Sequence, residues 1–192
     1  MKRILLVFVA LSLLSLSGCG PIIGQLMRAS EGVKDFKVIH GDLAQLQAGG
    51  NLLVVGPFAK APGAYYFSRG DDAAAFPEAI RKTGLFATEL YIGPKFTDRD
   101  KVNSLRHLSG QQIRRELSLG SEPDVIMYGT ILERDTIVAP TRGIIMRVGY
   151  RLEFVNLADK SSVVVEVTVK EPFRDCITAA AAEVAKQANA AK

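Results

Sequence analysis

Apolar and polar positions sort this chain into a small set of elements. "NLLVVGPF" (Asn51 to Phe58) is a continuous aliphatic and β-branched run between Gly49-Gly50 and Gly56-Pro57, the pattern of a strand buried on both faces. "LFATELYIG" (Leu85 to Gly93) predicts a second strand, and "PDVIMYGTILERD" (Pro123 to Asp135) a third that extends to about Val138. In "IIMRVGYRLEFVNL", Met146, Val148, Tyr150, Leu152 and Phe154 alternate with Arg147, Gly149, Arg151 and Glu153, which predicts a half-buried antiparallel strand. "SVVVEVTV" repeats the pattern with Val163, Val165, Val167 and Val169 inward. Ala139 to Gly143 and Ala158 to Ser161 link these last three strands into a meander.

Helical spacing fills the intervals. A helix is expected from Asp71 or Asp72 to Thr83, stopped by Gly84, with Pro77 accommodated if the regular part starts close to Phe76. Leu105, Leu108, Gln112, Ile113 and Leu117 predict one amphipathic helix ending at Gly120. The Ala-rich stretch from Pro172 to Lys192 predicts a third, packed through Phe173, Ile177, Ala180 or Ala181, and Val184. The order β-α-β-α-β-β-β-α describes a single α/β domain with a mixed sheet, helices mainly on one face and the other face partly polar. Right-handed crossovers make the first three strands neighbours or near neighbours.

The amino-terminal pattern differs from all of these. Lys2 and Arg3 precede an unbroken apolar stretch from Ile4 to Leu14, then small residues, which is the layout of a secretory signal and shorter than the roughly 18 residues a permanent span needs. Its ending, Leu16-Ser17-Gly18-Cys19, resembles the lipobox of bacterial lipoproteins. The resemblance implies cleavage before Cys19, a diacylglyceryl thioether on its sulfur and acylation of the new amino terminus. Two or three acyl chains on one residue anchor a protein firmly where one holds it only marginally. Gly20, rather than Asp, after the cysteine implies the outer membrane, with the domain facing the periplasm. The expected organisation is a signal peptide over 1–18, a lipidated cysteine and tether over 19–35, and the α/β domain over 36–192. Some fifteen tether residues reach at most roughly 50 Å.

Composition and charge narrow the partners. In 192 residues, 48% hydrophobic and 23% charged, there is material for one domain with a true core. The formal charge of +4 shrinks once Lys2 and Arg3 are removed with the signal, leaving 22 cationic against 20 anionic side chains. With no basic block and no aromatics interleaved with basic residues, nucleic acid is not an expected partner. Cys19 and Cys176 are the only cysteines; lipidation of the first leaves Cys176 a buried apolar residue or a free thiol.

Candidate chemistry is sparse. His40 and His107 have no metal-site spacing, so no metal and no cofactor is expected; His40 before Gly41-Asp42 marks a turn, and His107 reads as a surface residue near a helix start. No G-x-S-x-G elbow, Walker A loop or G-x-G-x-x-G occurs, and an enzyme is not expected. "GAYYFSRGDD" places Tyr65, Tyr66, Phe67 and Arg69 beside two aspartates. It reads as a loop whose aromatics cover the core and whose aspartates cap a helix, or, if functional, as a binding loop with aromatic anchors and Arg69 at the rim. Arg147 and Arg151, with Arg134 on a neighbouring strand, form either a cationic stripe or cross-strand pairs with Glu133, Glu153 or Glu166.

The run "GDLAQLQAGGNLLVVGPF", the helix end "IRKTGLFATELYIG" and "PDVIMYGTI" before a meander and closing helix are similar to periplasmic lipoproteins of the curli-secretion and penicillin-binding-protein-activator type, and to the amino-terminal domain of TolB. The resemblance covers roughly Gly41 to Lys186 and implies a non-enzymatic, lipid-anchored module docking on an envelope protein, with a homo-oligomer as a further option. The tether is shorter than such activators carry, and no apolar hairpin pair of the curli-pore kind stands outside the meander. The alternative is a periplasmic small-molecule or glycan-binding lipoprotein using Tyr65, Tyr66, Phe67 and Arg69.

Overall fold

The computed structural model describes residues 31–46, 49–64, 72–93, 99–139, 143–172 and 175–191. Six strands form one mixed sheet: β1 (Gly32–His40), β2 (Gly50–Lys60), β3 (Phe86–Ile92), β4 (Val125–Ala139), β5 (Gly143–Asn156) and β6 (Ser162–Pro172). Their order across the sheet is β1-β6-β5-β4-β2-β3. β2 is parallel to β3 and to β4, and the remaining neighbours are antiparallel. The helices are α1 (Asp72–Thr83), α2 (Arg99–His107), α3 (Gly110–Leu117) and α4 (Cys176–Ala190).

The direction of the crossovers explains the layering. The chain passes from β2 outward to β3 through α1, then back across β2 to β4 through α2 and α3. Two right-handed crossovers running in opposite directions must lie on opposite faces. The cores agree: Leu52, Val54 and Met127 join Phe76 of α1 and Val184 of α4 in the larger one, whereas Leu53, Val55, Ile126 and Tyr128 join Leu105 of α2 and Ile113 of α3 in the smaller. This is why β2 is apolar at every position from Leu52 to Val55, while β5 and β6 alternate. The single α/β domain and mixed sheet are as the sequence predicts, with the larger core under α1 and α4; the opposite face is less polar than expected, because α2 and α3 cover part of it.

Three elements differ from the sequence reading. β1 adds a strand that begins inside the stretch read as tether, pairing Gly32 with Lys170 and Phe36 with Val167. The helix expected through Leu105 and Leu117 is two helices, because Ser109 starts a new one with a capping box: its side chain accepts from Gln112 N, and Gln112 Oε1 accepts from Ser109 N at 2.8 Å. α1 has the expected bounds, Asp72 to Thr83, but is regular from its start, so Pro77 lies in its interior rather than in a first turn near Phe76. Burial of Ala73, Phe76, Ala79 and Ile80 offsets the roughly 3 kcal/mol that an interior proline costs.

Close approach fixes one glycine and hydrogen bonds fix one loop. Gly129 of β4 lies under the Phe58 ring, which occupies the space a Cβ would need. Glu89 of β3 accepts from Gly120 N at 3.0 Å, Ser121 N at 2.6 Å and the Ser121 hydroxyl, and so holds the turn that leads into β4. Burial works to raise the Glu89 pKa, but these hydrogen bonds outweigh it and the carboxyl lies below its ordinary 4.5. Gly129→Ala is expected to destabilise the domain by about 1–3 kcal/mol in urea unfolding, the range for overpacking. Near pH 4 the folded chain binds fewer protons at Glu89 than the unfolded chain. That contribution is therefore present above the ordinary value and lost as pH falls. A pH series of thermal melts should show a shallower acid limb for Glu89→Gln.

Candidate functional site

Among the described residues, the charged groups buried deepest stand where β4, β5 and α1 meet. Arg134 is 5% exposed and Asp72 9%. An Arg134 Nη2 donates to Asp72 Oδ2, and the Tyr150 hydroxyl donates to the same oxygen at 2.9 Å. Asp72 is the first residue of α1, where the partial positive charge of the helix end favours a carboxylate. Phe58, Phe76 and Tyr150 form a file beside it, with centroids 5.2 and 5.3 Å apart and the second pair edge to face.

Arg134 reaches this place through a bulge. β4 pairs Ile131 with Tyr150 but Glu133 with Gly149, so Leu132 is an extra residue in the ladder. Before it, Met127 and Ile131 face the larger core; after it, Arg134 turns to that side opposite Val148, as does the exposed Thr136 opposite Met146. The expectation that Arg134 joins an outward stripe with Arg147 and Arg151 is therefore corrected. Glu133 is outward instead and lies 3.2 Å from Arg147, and Arg151 pairs with Glu166 at 2.6 Å, so the cross-strand alternative holds for both.

Glu153 pairs across layers rather than across strands. Arg106 of α2 makes a bidentate contact to it at 2.8 and 2.6 Å and lies over the Tyr128 ring at 4.8 Å, fixing α2 on the second face. Burial pushes the Tyr128 and Tyr150 phenols well above the ordinary range, so both are neutral hydrogen-bonding groups at physiological pH. Cys176 opens α4, buried against the carbonyls of Glu171, Pro172 and Met146, and burial pushes its thiol up to about 11.

Cys19, Tyr65, Tyr66, Phe67 and Arg69 all lie outside the described residues. His40 ends β1 ahead of Gly41, whose φ of +77° makes the turn, and His107 is the last residue of α2 rather than near a helix start. No group of three or more metal-ligating side chains comes together among the described residues. What the structure adds is Asp72, read from sequence as a cap, and the inward Arg134, whose Nε has no hydrogen-bond partner among the described residues. The sequence signal for both is faint: one acidic residue at a helix start, and one arginine between Glu133 and Asp135 in the polar stretch of a strand that is otherwise largely apolar.

This arrangement is a charge pair held rigid, with one carboxylate oxygen serving two donors. Removing one partner strands the other, whereas replacing both with apolar groups does not. In urea unfolding, Asp72→Ala is expected to cost about 3–5 kcal/mol, and the double variant Asp72→Leu/Arg134→Met markedly less.

No protein-family model matches the chain, and no curated protein matches it in sequence. Among solved structures, several bacterial proteins are similar to it. A PelC dodecamer from Paraburkholderia phytofirmans is 16% identical with a TM-score of 0.45, covering 79% of this chain and 92% of that one. Lipoprotein GNA1162 from Neisseria meningitidis is 13% identical with a TM-score of 0.37, covering 64% and 83%. Protein XCC0632 from Xanthomonas campestris, of family DUF330, is 10% identical with a TM-score of 0.32, covering 74% and 78%. At these identities no residue role carries over.

Proposed function

We propose that this chain is a lipid-anchored protein of the bacterial outer membrane whose periplasm-facing α/β domain is a non-enzymatic interaction or assembly module. The observation that carries the reading is the apolar segment ending in Leu16-Ser17-Gly18-Cys19, joined through a short linker to a sheet whose two edge strands expose apolar side chains. Val38 and Ile39 are 44% and 51% exposed on β1, and Leu90 and Ile92 are 37% and 45% exposed on β3. Edge strands recruit a further strand through main-chain hydrogen bonds, with exposed side chains setting the fit. The partner is an envelope protein or a second copy of this chain.

The test has two arms. Intact mass and membrane fractionation should show a diacylglyceryl adduct that Cys19→Ser abolishes, releasing the chain from the membrane fraction. A photo-crosslinking residue at Ile39 or Ile92 should then give discrete adducts in living cells, and one at exposed Lys82 should not. Unmodified Cys19 in the membrane-bound chain would refute anchoring through that residue, and crosslinks no different from those at Lys82 would refute edge-mediated assembly.

A further inference from the structure

We propose that the outer edge of β1 takes a second copy of this chain, paired antiparallel about a two-fold axis beside Phe36; this rests on the edge-pairing reading above and names its partner. β1 ends the sheet, and among the described residues no strand lies on its outer side. An edge strand presents unpaired main-chain N–H and C=O groups to whatever strand can reach them. Asp35, Lys37, Val38 and Ile39 are exposed along this edge, and Phe36 is half-buried.

The irregularities of β1 limit where two copies can meet. Its pairing with β6 shifts between Val33 and Asp35 and again between Val38 and His40, which leaves Asp35 to Val38 as the regular stretch, opposite Thr168 to Val165. Within it, Phe36 and Val38 stand on the side of Val167 and Val165, toward the larger core, and Asp35 and Lys37 stand on the other. Identical strands paired antiparallel in one continuous sheet keep each face on its own side. With a side-chain period of two, the axis must then pass between a residue and its own counterpart. The choice lies among Asp35, Phe36, Lys37 and Val38.

Charge decides among them. An axis at Asp35 sets that carboxylate against its own counterpart, and one at Lys37 sets two ammonium groups together; like charges directly opposite destabilise a ladder. An axis at Val38 carries the pairing through the irregularity at Ile39 and leaves Lys37 opposite that isoleucine. An axis at Phe36 sets Asp35 of each copy opposite Lys37 of the other, on rungs that lie wholly inside the regular stretch. Asp35 and Lys37 already stand 2.5 Å apart within the strand, with side chains 49% and 61% exposed. The second copy completes a square of alternating charge, in which each carboxylate has an ammonium group on two sides. Edge lysines ordinarily ward off a further strand. A lysine two residues from an aspartate disfavours the neighbouring registers and favours this one. The opposite edge offers no such match, since Glu89, the charged residue of β3, is taken up by Gly120 and Ser121. Pairing of this kind closes on itself and gives a dimer rather than a filament.

The experiment uses the full chain, purified in detergent from bacterial membranes, with association read by sedimentation over a concentration series. The unsubstituted chain is expected to show a monomer–dimer equilibrium. Asp35→Lys and Lys37→Asp each place like charges on both rungs and are expected to weaken the dimer about tenfold or more. Mixed together, the two variants regain opposite charges on both rungs and are expected to pair with each other as the unsubstituted chain does. A second measurement does not depend on charge reversal. Chains carrying Asp35→Cys and chains carrying Lys37→Cys, differently tagged and mixed under mild oxidation, should give disulfide-linked heterodimers well in excess of homodimers, because only the mixed pair stands directly opposite. A monomer at every concentration overturns self-pairing, and discrete Ile39 adducts to a different protein then leave the edge reading standing. Monomer together with Ile39 adducts no different from those at Lys82 overturns both. A dimer that the charge variants leave intact, or that their mixture fails to restore although each keeps the unsubstituted melting temperature, overturns this axis. So do homodimers as abundant as the heterodimers, and growth beyond the dimer with concentration.

Discussion

The extra residue at Leu132 decides which side of the sheet carries charge along the upper half of β4. With an uninterrupted ladder, the period of two that puts Met127 and Ile131 in the larger core would also send Glu133 and Asp135 inward, beside Asp72. The bulge reverses this. Arg134 turns toward Asp72, Glu133 turns out to Arg147, and Asp135 pairs with Arg147 across the ladder. The docking of the first turn of α1, the hydrogen bond of Tyr150 and the sidedness of the hairpin beyond all follow from that shift.

The buried pair is better understood as a device for placement than as a source of stability. Taking two charges out of water costs several kcal/mol per ion, which their attraction at best recovers. What the pair does supply is a fixed contact: it joins the first residue of α1 to β4, and the Tyr150 hydroxyl joins the same carboxylate to β5. The aromatic file of Phe58, Phe76 and Tyr150 adds the apolar contact around it, and Gly129 leaves room for the first ring.

Most of the sheet was legible because its strands experience clear environments. β2 is apolar from Leu52 to Val55 since both its faces are covered there, and β5 and β6 alternate since one face is not. β1 was not legible for a specific reason. Irregularities between Val33 and Asp35 and between Val38 and His40 break its period, so Val33 and Phe36, the side chains that touch the core, lie three apart. The break between α2 and α3 was written in the sequence as Ser109 followed by Gln112, but the run of apolar positions from Leu105 to Leu117 masked it. Arg134 was misplaced because a bulge leaves no mark on alternation until the partner strand is known. The aromatic loop and Cys19, which carry the sequence-based binding and lipidation readings, lie outside the described residues.

Cys176 introduces a matter of timing. Burial pushes its thiol up to about 11 and shuts the sulfur away from solvent, so in the folded domain it stays a protonated, shielded thiol at neutral pH. That protection comes from α4 lying on β5 and β6, elements that reach the ribosome exit last. A chain delivered unfolded to an oxidising compartment carries this sulfur bare until its final helix docks. The interval between delivery and docking, rather than the lifetime of the folded protein, is when cross-linking to another chain competes with folding.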